Sequence, residues 1–97
     1  MTVFDQVKER TLKTLELYVP IVARVHGASH PEFHDVHRIY KEMTAKIGAS
    51  GEEQPALESE FEQLRQITND YTVPNDVCES YEAVYKILAE LDEAYHS

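Results

Sequence analysis

The last quarter of the chain carries an apolar residue on every helical turn. Val77, Tyr81, Val84, Leu88, Leu91 and Tyr95 follow one another at steps of 4, 3, 4, 3 and 4. That rhythm tracks the 3.6-residue turn and places one stripe along one side of a helix. A half-buried strand would alternate instead, and no segment of the chain does. A lone apolar stripe is stable only when other elements cover it, so the other segments must supply the cover.

Three earlier segments show the same rhythm. The first spans residues 3–25, with Leu12, Leu15, Val19 and Val22 on one face and His26 next in line. Pro20 lacks an N–H and its ring meets the carbonyl of Glu16, so a kink or a break is expected there. Gly27 is the expected stop. The second opens at or just before Pro31, where a proline suits the first turn and Glu32 and Asp35 suit the positive end of the helix dipole. Phe33, Val36, Tyr40, Met43 and Ile47 form its stripe, and Gly48 is expected to end it. The third covers residues 52–69 with Leu57, Phe61, Leu64 and Ile67 or Thr68 on one face. Asn75 is the expected N-cap of the fourth.

Four helices with short connections pack as antiparallel neighbours. The expected fold is all-α, an up-down-up-down four-helix bundle. With 97 residues the chain forms one domain, residues 1–97, around one modest core. Tyrosines on the stripes are expected in that core with their hydroxyls at its rim.

Composition removes several functions. The longest apolar run covers residues 17–23, too short for a transmembrane helix. The start carries Asp5 and no apolar signal region, so the expected compartment is the cytoplasm. Residues 1–50 carry seven Lys/Arg against six Asp/Glu, and residues 51–97 carry two against twelve. The acidic half should repel nucleic acid and anionic membrane. It reads as a solvated surface, or as a docking face for a basic protein partner. Cys78 is the one cysteine, so one chain forms no disulfide and no thiolate cluster. Its place in an apolar-periodic segment suggests a partly buried, structural thiol. With three glycines there is no phosphate-cradling loop.

Four of the five histidines fall between residues 26 and 37: His26, His30, His34 and His37. Helical bundles often build metal sites from inward-pointing His and Glu, so these are the candidate metal ligands. His26 is equally a core or helix-end residue, and His30 a cap for the second helix. His34 and His37, three apart, share one side of that helix and could hold zinc or nickel loosely. A closed site needs three or four ligands. The 26, 30, 34 spacing resembles a helical ladder, but Gly27 and Pro31 interrupt it. Glu93-x-x-His96 is the one motif of the di-iron carboxylate type, and no second copy accompanies it. Glu58 and Glu62 lie one turn apart, but Glu53 and Glu60 make that helix acidic all round, which reads as a solvated face.

Two blocks resemble a known family. Val22-Ala23-Arg24-Val25-His26-Gly27, with His30-Pro31-Glu32 and Val36-His37-Arg38-Ile39-Tyr40, is similar to the second quarter of the Ric-type proteins. These are hemerythrin-like di-iron proteins associated with repair of iron–sulfur clusters after oxidative and nitrosative stress. Ile67-Thr68-Asn69-Asp70-Tyr71-Thr72-Val73-Pro74, followed by Cys78 and Tyr85, resembles the start of that family's last helix.

The resemblance implies a hemerythrin-like bundle and a di-iron cofactor held by two lone histidines and two His-x-x-x-Glu pairs. Those ligands do not map onto this chain. Lys8 stands at the first lone histidine and Gln54 near the second. The first pair should follow the 39–47 region, where Gly48-Ala49-Ser50-Gly51 stands instead. The last pair would begin just after Ser97. His26 corresponds to a family histidine outside the principal ligand set.

The expectation is a shortened relative without the di-iron ligands, a non-catalytic accessory in iron–sulfur or metal-stress physiology. Two alternatives stay open. One is a structural or protein-interaction module, monomeric or homodimeric. The other is a metal-dependent repair protein whose site is completed across a homodimer by Glu93-x-x-His96 and the histidine cluster.

Overall fold

All four stripes fold as helices. A computed structural model describes residues 3–51 and 55–96. Within them lie α1 (Val3–His26), α2 (Glu32–Ser50), α3 (Glu58–Ile67) and α4 (Glu79–Tyr95), and no strand. α1 packs against α4 and α2, and α2 packs against α3. The result is an all-α four-helix bundle 38 × 21 × 20 Å in extent. Its long axis matches α1, whose 24 residues span about 36 Å at 1.5 Å each. Among the described residues no helix is long and apolar enough to cross a membrane.

The core is made of the residues that the spacing selects. Leu15, Val19 and Val22 meet Phe33, Val36 and Met43 from α2, Phe61 and Leu64 from α3, and Tyr81, Val84, Leu88 and Leu91 from α4. Ile39 and Tyr85 are buried as well, although they flank the simple 3–4 rhythm. Leu12, Ile47, Ile67, Val77 and Tyr95 line the margin, half-buried.

Helix ends depart from expectation. α1 runs through Pro20 without a break. Pro20 lies on the exposed face, where water can serve the carbonyl that loses its partner. α2 continues past Gly48 to Ser50 and stops at Gly51, whose positive φ of 59°, with ψ of −120°, is a conformation that glycine adopts freely. α3 is shorter than its stripe suggests. Its expected start at Glu52, like the Glu53 and Gln54 positions, lies outside the described residues. Residues 55–57 are not helical, because Tyr95 anchors them: its hydroxyl donates to the Pro55 carbonyl at 3.0 Å and accepts from the Leu57 amide at 3.0 Å. α4 starts at Glu79 rather than next to Asn75, with Cys78 extended at the N-cap position.

Glu60 corrects the reading of α3 as a wholly solvated acidic helix. It is only 5% exposed, and Lys46 of α2 binds both its oxygens at 3.0 and 2.9 Å. A carboxylate can be buried there because a cation reaches it from the neighbouring helix.

Candidate functional site

The two blocks that carry the family resemblance converge at one end of the bundle. The chain turns sharply after α1, with Gly27 N–H donating to the Ala23 carbonyl and His30 N–H to the His26 carbonyl. A Cβ at position 27 would collide with the Ala23 carbonyl and with the imidazole of His34, so the turn requires glycine. This turn sets His26 and His30 against the start of α4.

His26 Nε2 lies 3.1 Å from Cys78 Sγ. Cys78 is exposed at the N-terminus of α4, not packed inside the helix as its apolar neighbours suggest. The helix begins at Glu79, two residues after the first member of its stripe, and Cys78 stays outside it with its thiol at the surface. His30 is held between two carboxylates, Nδ1 at 2.9 Å from Glu32 and Nε2 at 3.0 Å from Asp76. Carboxylates only accept, so each of these contacts uses a ring N–H of His30 as the donor. Between the two histidines stands the buried ring of Tyr81, edge-on to each at 5.5 Å between ring centres. Its hydroxyl bonds that of Tyr85 at 3.0 Å. Burial pushes both phenols above their ordinary range.

The four histidines therefore divide. His26 and His30 share the α1–α4 end. His34 is exposed beside Gly27, and His37 is half-buried on α2. Burial lowers the His37 pKa, and the charges of Lys41 and His34 add to that effect. Among the described residues, no three of His, Cys, Asp and Glu converge where a metal ion could sit. A thiol beside an imidazole has the makings of a nucleophile and its base. Among the described residues, no third group orients His26 from behind.

A second polar cluster, which the sequence did not suggest, closes the far end of α4. Asp92 is 6% exposed and gathers three donors. Arg65 Nη1 reaches both its oxygens at 2.9 and 3.0 Å, the Tyr71 hydroxyl donates at 2.8 Å, and His96 Nδ1 lies at 2.9 Å. Burial, then the bond to Asp92, drives the Tyr71 phenol far above its usual range. The cluster floors an open cleft of about 410 Å³ that Asp70 and Glu93 also line.

The chain reaches this arrangement through three consecutive left-handed residues, Asn69, Asp70 and Tyr71, with φ of 52°, 59° and 61°. Asn and Asp enter that region readily and tyrosine rarely does. Thr68 holds the turn: its hydroxyl accepts from the Tyr71 amide at 2.8 Å. The Glu93-x-x-His96 motif singles out the histidine of this cluster, but not the carboxylate that this histidine meets within the chain. One full helical turn separates Asp92 from His96, and Asp92 is the partner.

The interior does not fit a di-iron centre. Such a centre needs inward His and Glu from facing helices. Here the buried interior holds the rings of Phe4, Phe33, Phe61, Tyr81 and Tyr85. Among the described residues the two buried carboxylates, Glu60 and Asp92, already belong to Lys46 and to Arg65, Tyr71 and His96. One buried side-chain polar atom among the described residues has no partner, the Tyr40 hydroxyl, and it is not a carboxylate or imidazole ligand.

No family model matches the chain, and the comparison with solved structures found no match. Among curated proteins, the iron-sulfur cluster repair protein ScdA of Staphylococcus haemolyticus is 25% identical over 124 aligned residues. The match takes in 96% of this chain but 56% of that protein. The chain thus spans little more than half the length of the relative it matches. An alignment longer than the 97-residue chain must also open gaps against it. The likeness supports a distant relationship to iron–sulfur cluster repair proteins, the same direction in which the two sequence blocks point.

Proposed function

We propose that this protein is a distant relative of the iron–sulfur cluster repair proteins whose bundle holds no di-iron centre. It acts as a non-catalytic accessory in iron–sulfur or metal-stress physiology. The observation that carries this reading is the packed interior, where aromatic rings and already paired carboxylates stand in place of inward metal ligands. The test is metal content per chain, by elemental analysis of tag-free protein from iron- and zinc-supplemented cells. The companion variants are His34→Ala/His37→Ala and His26→Ala/Cys78→Ser. Metal well below one ion per chain, equal in all three proteins, is the expected result. Near-stoichiometric metal that either variant loses would overturn the reading.

One observation favours a second reading, a metal site completed between two copies. Both groups that flank His96 Nδ1, the Asp92 carboxylate and the Asp92 carbonyl, are acceptors, so that nitrogen carries the proton. His96 and Glu93 both line the cleft, and a nitrogen braced by a carboxylate on one side leaves the other for a metal, as in ligand histidines. On this reading zinc would drive dimerisation in analytical ultracentrifugation, and His96→Ala would abolish the effect.

A further inference from the structure

Two metal-binding side chains from distant parts of the chain meet at the α1–α4 end. His26 closes α1, Cys78 stands at the N-cap position of α4, and Nε2 lies 3.1 Å from Sγ. The two helices that carry them pack along one another, and the His26 ring stands edge-on to the buried Tyr81. Packing therefore brings the two donors together, rather than a mobile loop. The thiol is exposed, so an ion in solution can reach it. The neighbouring imidazole is already taken, since His30 is held by Glu32 and Asp76.

In the tautomer with its proton on Nδ1, His26 accepts the Cys78 S–H at Nε2, and one proton lies between nitrogen and sulfur. A monovalent soft metal ion can replace that proton with no change in net charge. The exchange is Cys–SH plus M⁺ giving Cys–S–M plus H⁺, with the Nε2 lone pair making the second bond to the metal. Thiolate is the ligand that soft ions such as Cu(I) select, and imidazole suits copper as well. Coordination number narrows the choice. Zinc needs three or four ligands for a closed site, and among the described residues no three of His, Cys, Asp and Glu converge. A closed-shell monovalent ion is satisfied by two donors in line. Two metal–ligand bonds of roughly 2 Å each set sulfur and nitrogen about 4 Å apart, so the pair has to open by about 1 Å. Cys78 lies outside α4 with its side chain at the surface, which leaves room for that movement. The exposed carboxylates of Asp76 and Glu79, close by in the chain, favour a cation there.

We propose that Cys78 and His26 form a two-donor site for a soft monovalent metal ion, Cu(I) above all. The site goes beyond the accessory reading, because a surface pair at one end of the bundle is not a di-iron centre. Its test uses no metal carried over from cells, so either reading can fail without the other.

The probe is Cu(I) itself, titrated without oxygen into tag-free protein in competition with a chromophoric Cu(I) chelator. The protein should withdraw Cu(I) up to one ion per chain, releasing about one proton for each ion bound. Cys78→Ser should abolish the withdrawal. His26→Ala should weaken it at least about tenfold, a floor set by what the loss of a mere supporting partner of a ligand costs. Far-UV circular dichroism checks that each variant folds, and His26→Gln repeats the measurement should His26→Ala lose helicity. The proposal is overturned if the protein withdraws no Cu(I). It is overturned too if the His26 variants bind as tightly as the parent, since the thiol alone would then be the ligand. Displacement of Cu(I) by equimolar Zn(II), or two chains per ion in analytical ultracentrifugation, would also rule out a two-donor site within one chain.

Discussion

Asp92 is where a single residue decides most. It is buried, charged, and bound by Arg65, Tyr71 and His96 at once. Asp92→Ala would leave a phenol and part of a guanidinium without an acceptor. Arg65 is 38% exposed and can recover water, so the expected loss is about 2–3 kcal/mol rather than the larger cost of a fully buried pair. Tyr71→Phe removes one hydrogen bond to a charged group and should cost about 1–2 kcal/mol. In urea denaturation the double variant should lose less than the sum, because both changes remove the same bond. Additive losses would mean that Tyr71 and Asp92 are not coupled. At this scale the sequence was a partial guide. His26 and His30 stood out by their clustering and do reach the α1–α4 end. Their partners Cys78 and Asp76 lie some fifty residues away, where no spacing rule applies. Asp92 was hidden for a similar reason: its donors come from three segments, one of them in a left-handed turn that residue types alone do not specify.

At the scale of elements, the 3–4 rhythm was enough to place every helix, because burying a stripe dominates the energetics of a surface helix. Leu88 tests that statement directly. It is 0% exposed and central in the stripe of α4, the helix that packs along α1. Leu88→Ala should cost about 2–5 kcal/mol through lost burial and an unfilled cavity. A cost below about 1 kcal/mol would remove α4 from the core. The helix ends were less legible than the helices. Gly48 and Gly51 look alike in sequence, yet only Gly51 takes a positive φ, and α2 ends there. Pro20 lies on the face of α1 where a missing hydrogen bond is served by water. The start of α3 is fixed by a tyrosine thirty-eight residues further on. Each of these outcomes depends on which way a residue faces or on what meets it from another helix.

Over the whole molecule, fold class and chain charge could be read directly, whereas the interplay between charge and stability needs the dimensions. The longest axis is 38 Å and the net charge is −9, concentrated after residue 50. At about 0.01 M salt the screening length is about 30 Å, so acidic groups on opposite ends of the bundle repel one another. At about 0.15 M it falls to about 8 Å, and only near neighbours interact. The attractive pairs are short. Lys46–Glu60 and Arg65–Asp92 lie at 2.9 Å, well within either screening length, and their carboxylates are buried. Salt therefore weakens the diffuse repulsion more than the local attraction. The urea midpoint should rise between about 0.01 and 0.15 M sodium chloride, by a free energy on the order of 1 kcal/mol. A chaotropic anion effect is separated by repeating the titration with sodium sulfate at matched ionic strength, where the same direction is expected. If the midpoint falls in both salts, the exposed pairs Arg10–Glu90 and Lys86–Glu82 contribute more than their solvent exposure allows. The acidic second half would then be held by its cations rather than strained by its own charge.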